Sequence, residues 1–178
     1  MSNYFSIACL QYASTKDEYK TLEIIEKSMI KAIGLGAELI ALPECATSLH
    51  EDSSITKELA SSEEENISLN FFKKTAQSHG IYILVGSMPI KQKKKLVNRS
   101  FLIGPEGEII SKYDKIHLFD VQLPNGDTFK ESNTYLNGTK AIIAKINGGN
   151  INVGMTICYD IRFPKLYQDL AENGAHII

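Results

Sequence analysis

The sequence predicts an α/β fold, and three observations carry that prediction. Apolar runs of strand length recur along the chain, among them Ile81 to Met88 and Ile151 to Ile157. Between such runs lie segments whose apolar residues return every three or four positions, as on one face of a helix. Gly, Pro and Asn punctuate the joints between the two kinds of segment. Strands alternating with helices are the pattern of α/β architectures.

The elements follow in order. Tyr4 to Leu10, with Phe5 and Ile7, reads as a buried strand. Thr15 and Glu18 have the T-x-x-E spacing of a capping box, which starts a helix. Leu22, Ile25, Met29 and Ile33 form its apolar face, and Gly34 and Gly36 end it. Glu38 to Leu42 is the next buried strand, closed by Pro43, and residues 44–62 are polar and irregular. The acidic Glu63 to Glu65 suit the start of a second helix, whose face is Leu69, Phe72 and Ala76 and whose end lies near Gly80. After the strand Ile81 to Met88, Lys91, Lys93, Lys94 and Lys95 make a basic run, expected at a solvated hairpin tip. Asn98 to Ile103 and Glu108 to Tyr113 flank Gly104-Pro105-Glu106-Gly107 and read as a hairpin. Residues 115–139 show little periodicity, as in a long functional loop. Lys140 to Ile146 and Ile151 to Ile157 are strands around Gly148-Gly149-Asn150. Pro164 opens a third helix with Leu166, Tyr167, Leu170 and Ala171 on its face and Asn173-Gly174 at its end. Ala175 to Ile178 reads as the start of a further strand.

Composition excludes several function classes. The 178 residues carry 19 Lys+Arg against 21 Asp+Glu, a formal charge of −2. Such a chain has no electrostatic reason to seek nucleic acid or an anionic membrane. With 43% hydrophobic and 22% charged residues it is neither a disordered tail, a collagen-like fibre nor a disulfide knot. Its length suits one hydrophobic core. The three cysteines, Cys9, Cys45 and Cys158, are odd in number and widely spaced, without a C-x-x-C pair. That is no disulfide framework and no zinc ribbon. The opening MSNYFSIACLQYAST lacks the basic region and apolar stretch of a signal peptide, and no apolar run approaches the ~20 residues of a membrane helix. A reducing cytoplasm is the expected setting. The N-x-S/T triplets at Asn66, Asn98 and Asn137 then carry no glycosylation.

Three reactive groups fall at strand ends: Glu44, Lys115 and Cys158. In α/β sheets, sites assemble at the carboxyl ends of strands. A nucleophile on a strand-to-helix turn is held rigidly and presented at the sheet edge. A thiol attacks as the thiolate. A nearby carboxylate can accept its proton, and a nearby lysine cation favours the thiolate and can stabilise an oxyanion. Gathered together, the three groups suffice to cleave an amide through a thioester, which water then hydrolyses with the same carboxylate as base. Taken singly, each also has a structural reading. Cys158 could be a small core residue, Glu44 an exposed loop acid, and Lys115 a surface lysine beside Asp114. The histidines, His50, His79, His117 and His176, are scattered without ligand spacing, and His117 alone lies near another motif.

The segments LPECA (42–46), KYDKIHLFD (112–120) and GMTICYDIRFP (154–164) resemble the signature blocks of the nitrilase superfamily, the carbon–nitrogen hydrolases. IACLQ, GAELIALPE and GPEGEIISKYDK are similar too, so the likeness runs along the whole chain. The blocks look nearest to Nit1/Nit2-like amidases, which act on ω-amides of dicarboxylates and on deaminated glutathione. The resemblance implies a four-layer αββα sandwich, incomplete at the C-terminus, with residues 1–178 forming the N-terminal portion of a carbon–nitrogen hydrolase domain. It implies Glu44 as general base, Lys115 as oxyanion stabiliser and Cys158 as nucleophile. Glu131, in TFKES, takes the place of a second active-site glutamate that positions the lysine or the substrate. The backbone N–H of Tyr159 joins the oxyanion hole, and Arg162 ties down the turn at Cys158 by hydrogen bonding.

The implied function is a cysteine-dependent amidase. It cleaves a non-peptide carbon–nitrogen bond of a small linear carboxyamide, uses no cofactor or metal, and forms a homo-oligomer in the complete enzyme. ESN at 131–133 and RFP at 162–164 tilt the substrate toward deaminated glutathione over short ω-amides. Hydrolysis of carbamoyl amines or nitriles, and acyl transfer, share the same thiol chemistry. The alternative from a different class is an inactive or non-catalytic fragment of such an enzyme, suggested by the abrupt apolar ending.

Overall fold

The computed structural model describes residues 4–178. Residues 1–3, the start of the stretch read as lacking a leader, lie outside the described residues. In chain order the elements are β1 (Ile7–Cys9), α1 (Glu18–Gly34), β2 (Leu39–Ala41), α2 (Ser53–Leu59), α3 (Ile67–His79), β3 (Tyr82–Gln92), β4 (Lys95–Ile103) and β5 (Ile109–Asp114). There follow β6 (Asp120–Gln122), β7 (Thr128–Lys130), β8 (Tyr135–Leu136), β9 (Ile142–Ile146), β10 (Ile151–Met155) and α4 (Pro164–Glu172).

Local chemistry explains the boundaries, with some departures from expectation. The cap of α1 is Asp17, whose Oδ1 accepts from the backbone N–H of Tyr19 at 3.0 Å and of Lys20 at 3.2 Å. Thr15 is displaced from the expected capping box and instead accepts from Asp17 N at 3.1 Å. Glu18 instead accepts from the buried hydroxyl of Ser68 on α3. A carboxylate at the cap is as good an acceptor as a threonine hydroxyl, so the nearer Asp17 wins. Likewise α3 is capped by Asn66 through Leu69 N at 2.7 Å. The acidic stretch before it does not line the first turn; Glu63 pairs with Arg99 and Lys112 instead. Gly80, with φ 63°, closes α3 in the left-handed region that glycine tolerates. Pro164 opens α4 as expected. The irregular stretch after Glu44 holds the short α2, which buries no residue and therefore left no apolar period to read.

The main sheet runs β1-β2-β3-β4-β5, with β8 added on β4. The first three strands are parallel, and the β3–β4 and β4–β5 pairs are antiparallel hairpins. The lysine run lies at the β3–β4 hairpin tip, as expected. A second, two-stranded antiparallel sheet is β9–β10, and β6–β7 is a small hairpin. Gly154 N of β10 donates to Ile177 O at 2.7 Å, and Val153 bridges Ile177 in parallel, so the final residues do begin to pair as a strand.

The one core suggested by length is divided into two apolar layers, because the main sheet is covered on both faces. On one face Ile25, Met29, Leu69 and Phe72 of α1 and α3 pack on Ile40, Ile83, Val85 and Phe101. On the other, Leu39, Leu102 and Tyr113 meet Ala144, Val153 and Met155 of the second sheet. The alternation Leu39/Ile40 and Phe101/Leu102 is the two-residue period of a strand buried on both sides. Helix α4 lies outside the second sheet, with its buried Leu166 and Leu170 turned inward and Leu170 Cδ1 only 3.2 Å from the Cβ position of Gly154. The layers are therefore helix, sheet, sheet, helix, the αββα arrangement.

One glycine lets the chain just after β2 pass close to β3. A Cβ on Gly86, at the bulge between Val85 and Met88, would lie 2.2 Å from Leu42 O and 2.3 Å from Pro43 O. Both atoms are backbone and cannot yield without moving the chain that leads to Glu44. Gly86→Ala is expected to cost about 1–3 kcal/mol, the usual range for overpacking, read as a lower midpoint in urea unfolding. An unchanged midpoint would show that the segment relaxes freely.

Candidate active site

Glu44, Lys115, Glu131 and Cys158 come from four separate segments and line one cavity of about 630 Å³, together with Asn98 and Tyr135. That is an ordinary size for a small-molecule site.

Glu44 lies just beyond β2, where the chain is clamped to the bulge of β3. Ser87 Oγ accepts from Cys45 N at 3.0 Å, and Ser87 O accepts from Ala46 N at 2.8 Å. Ser14 Oγ donates to Cys45 O at 2.7 Å from the other side. These bonds hold Cys45 at φ 50°, a left-handed backbone unusual for a residue with a side chain.

Lys115 directly follows β5. Its N–H donates to Asn98 O at 3.0 Å, and its carbonyl accepts from Gly138 N at 2.8 Å. The surface-lysine reading fails, since Lys115 is only 2% exposed. Its neighbour Asp114 is paired instead with Arg99, at 2.5 and 2.7 Å. Lys115 Nζ donates to Glu44 Oε1 and to Glu131 Oε2, each at 3.0 Å. Burial alone would lower the lysine pKa, but the two carboxylates and their hydrogen bonds outweigh it, so the pKa is raised and the group is a cation.

Glu131 opens a single 3-10 turn, Glu131–Asn133, after the β6–β7 hairpin. Besides Lys115, its Oε2 accepts from Phe119 N at 2.6 Å. The structure therefore brings Glu131 to the lysine, where the sequence motif placed it. Asn98, which sequence reasoning treated only as part of an N-x-S triplet, completes the cluster. It is buried on β4 and donates from Nδ2 to Glu44 Oε1 at 3.0 Å and to Glu131 Oε1 at 3.4 Å.

Cys158 begins a 3-10 turn, Cys158–Arg162, between β10 and α4. Its φ of 44° makes it a sharp elbow in the left-handed region. Although Cys158 is exposed at its surface, partial desolvation pushes its thiol up to about 11, reinforced by hydrogen bonding to Glu44 and by the charges of Glu44 and Glu131, and opposed by Lys115. The expectation that the lysine favours the thiolate is thus outweighed, and the resting group is a thiol. Cys45 shares the cavity, but its thiol is pushed up further, to about 12, chiefly by burial.

The tie at this elbow is not Arg162. Its side chain is exposed and makes no hydrogen bond or ion pair among the described residues. The short turn points it to solvent, while Asp160 points inward and makes the bonds expected of the arginine. Tyr159 packs its ring edge-on to Phe119 at 4.9 Å and Phe163 at 5.5 Å. As a residue at the start of the turn, its N–H has no partner within the turn. His117 does not face Cys158 as a dyad partner; its Nδ1 lies 2.7 Å from Asp160 Oδ1. Among the described residues, no group of three or more His, Cys, Asp or Glu could hold a metal ion. No helix among them is long and apolar enough to cross a membrane.

Comparison with known proteins adds similarity along nearly the full chain. The family model described as carbon-nitrogen hydrolase matches residues 6–178. The probable hydrolase nit2 of Schizosaccharomyces pombe is 38% identical over 173 residues, which cover 96% of this chain and 62% of that protein. The deaminated glutathione amidase of Synechocystis is 33% identical over 177 residues, covering 96% of this chain and 63% of that protein. The crystal structure of the C. elegans NitFhit protein superposes with a TM-score of 0.85 at 26% identity, over 95% of this chain and 41% of that one. The chain thus spans a little over six-tenths of the length of these two curated relatives.

Proposed function

Because this chain belongs to the carbon–nitrogen hydrolase family, we propose that it hydrolyses the amide of a small linear carboxyamide through a thioester on Cys158. The observation that carries this reading is Lys115 Nζ held at 3.0 Å from both Glu44 and Glu131 in the cavity that Cys158 also lines. A buried cation fixed between two carboxylates, beside a thiol on a rigid elbow, is an arrangement suited to acyl transfer.

The steps follow from the groups present. With its thiol raised to about 11, Cys158 does not rest as a thiolate near neutral pH. Glu44 takes the thiol proton as sulfur attacks the amide carbon. Glu44 Oε1 is already engaged by Lys115 and Asn98, which leaves Oε2 as the accepting oxygen. The developing oxyanion is stabilised by the Lys115 cation and the backbone N–H of Tyr159. The proton on Glu44 passes to the amine, the carbon–nitrogen bond breaks, and ammonia leaves a Cys158 thioester. Water, deprotonated by Glu44, then attacks the thioester and returns the carboxylic acid and the thiol. Glu131 acts by holding Lys115 and takes no proton.

Relatives named as amidases support an ω-amide or deaminated-glutathione substrate. The assembled carboxylate–lysine–thiol cluster supports catalysis over a non-catalytic fragment. Three free cysteines support a reducing, cytoplasmic setting.

The thiol–carboxylate coupling has a testable consequence. In Glu44→Gln the hydrogen bond and charge that do most to raise the Cys158 thiol beyond burial are removed, while Glu131 and the opposing Lys115 remain. The thiol pKa is expected to fall, and each unit of fall gives about tenfold more thiolate at pH 8. Iodoacetamide should label Cys158 several-fold faster in this variant while ammonia release from an ω-amide collapses. Slower labelling together with retained turnover would show that Glu44 is not the base.

A further inference from the structure

We propose that Asp160 is a positioning residue for the thiol: it clips the turn carrying Cys158 to the strand end carrying Lys115 and so sets nucleophile and cation in register. The proposal rests on the amidase reading above and deepens it.

Asp160 is wholly buried. Its Oδ2 accepts from the Tyr113 hydroxyl at 2.6 Å and from Ile157 N at 2.9 Å. Its Oδ1 accepts from His117 N at 3.0 Å and lies 2.7 Å from His117 Nδ1. A carboxylate only accepts, so this contact requires the proton on Nδ1. The partners belong to two segments. Tyr113 and His117 stand two residues to either side of Lys115, and Ile157 immediately precedes Cys158. The Tyr113 hydroxyl in turn accepts from Ile116 N at 3.2 Å, and Phe163 stacks on the His117 ring at 3.6 Å.

Two physical arguments make this more than packing. A buried carboxylate is costly unless its lone pairs are filled, and here donors from both sides of the site fill them. An apolar residue of similar size would fill the space without linking the segments. The elbow also holds Cys158 at φ 44°, and a residue with a side chain stays there only where its surroundings over-determine it. The bond from Ile157 N to Asp160 is applied at the residue that enters that conformation.

Three variants test this. Asp160→Asn keeps the size but turns one acceptor into a donor, facing donors already in place. It is expected to lower kcat by about 10²-fold, the scale of a reacting group misplaced by about 1 Å, with KM within about threefold. Tyr113→Phe and His117→Phe each remove one side-chain donor and leave the carboxylate, and each should give a smaller kcat loss with unchanged KM. They decide the matter if Asp160→Asn fails to fold. Unchanged kcat per folded molecule in these variants would overturn the proposal, as would losses that merely track the folded fraction. If the wild-type chain releases no ammonia, the amidase reading fails by itself. The pH midpoint of Cys158 labelling by iodoacetamide then still reads Asp160. The proposal expects the midpoint to drop in Asp160→Asn by at least about half a unit as the thiol leaves Glu44, and an unmoved midpoint would overturn it.

Discussion

Replacing Cys158 with alanine is expected to lower ammonia release from a small ω-amide by at least about 10⁴-fold, since loss of a nucleophile removes the covalent route altogether. Cys9→Ala should leave the rate within about twofold, as expected of a side chain outside the reacting cluster. Cys45 is the informative control, because it lines the same cavity. It cannot substitute for Cys158, for its thiol is pushed up to about 12 and its backbone is clamped by Ser87 and Ser14. Steady-state assays on the three alanine variants check this. Activity in Cys158→Ala within tenfold of wild type would mean that Glu44 directs water at the amide without a thioester.

Lys115→Ala is expected to be the most destabilising change at the site, by about 3–5 kcal/mol, as when one partner of a buried ion pair is removed. The side chains of Glu44 and Glu131 are 29% and 14% exposed, and without the cation they face each other across a poorly solvated cavity. Adding Glu131→Gln to Lys115→Ala should recover part of the loss by removing one of the two like charges. Urea unfolding of the single and double variants measures both effects. A single variant as stable as wild type would mean that the cluster is solvated enough to need no cation. The sign with pH follows from the direction of the lysine shift. Its folded pKa is raised, so its contribution is present throughout neutral pH and is lost only as pH rises through that folded value, above the ordinary lysine value of about 10.4.

The reacting groups could be read from the sequence because each sits in a local motif at the end of a strand that its own residues announce. Glu44 follows ELIALP, Lys115 follows EIISKYD, and Cys158 follows INVGMTI. Asn98 and Asp160 could not be read that way. Each reaches its partners across distant chain: Asn98 meets Glu44 beyond β2 and Glu131 after β7, and Asp160 meets the end of β5. Arg162 was given a role that belongs to Asp160, because a five-residue 3-10 turn decides which side chain points inward and short turns leave no periodic trace. The same holds for α2, a helix without a buried face. The thiol was expected to be activated by the lysine; burial and Glu44 reverse the sign, and neither is visible without the fold.

A covalent intermediate on Cys158 can be trapped by rapid acid quenching of the purified chain with an ω-amide, followed by peptide mass spectrometry. The expected result is an acyl mass increment on the peptide containing Cys158, formed with release of ammonia and lost on standing as the acid product appears. Ammonia release with no increment at Cys158, or an increment at Cys9 or Cys45 instead, would contradict it.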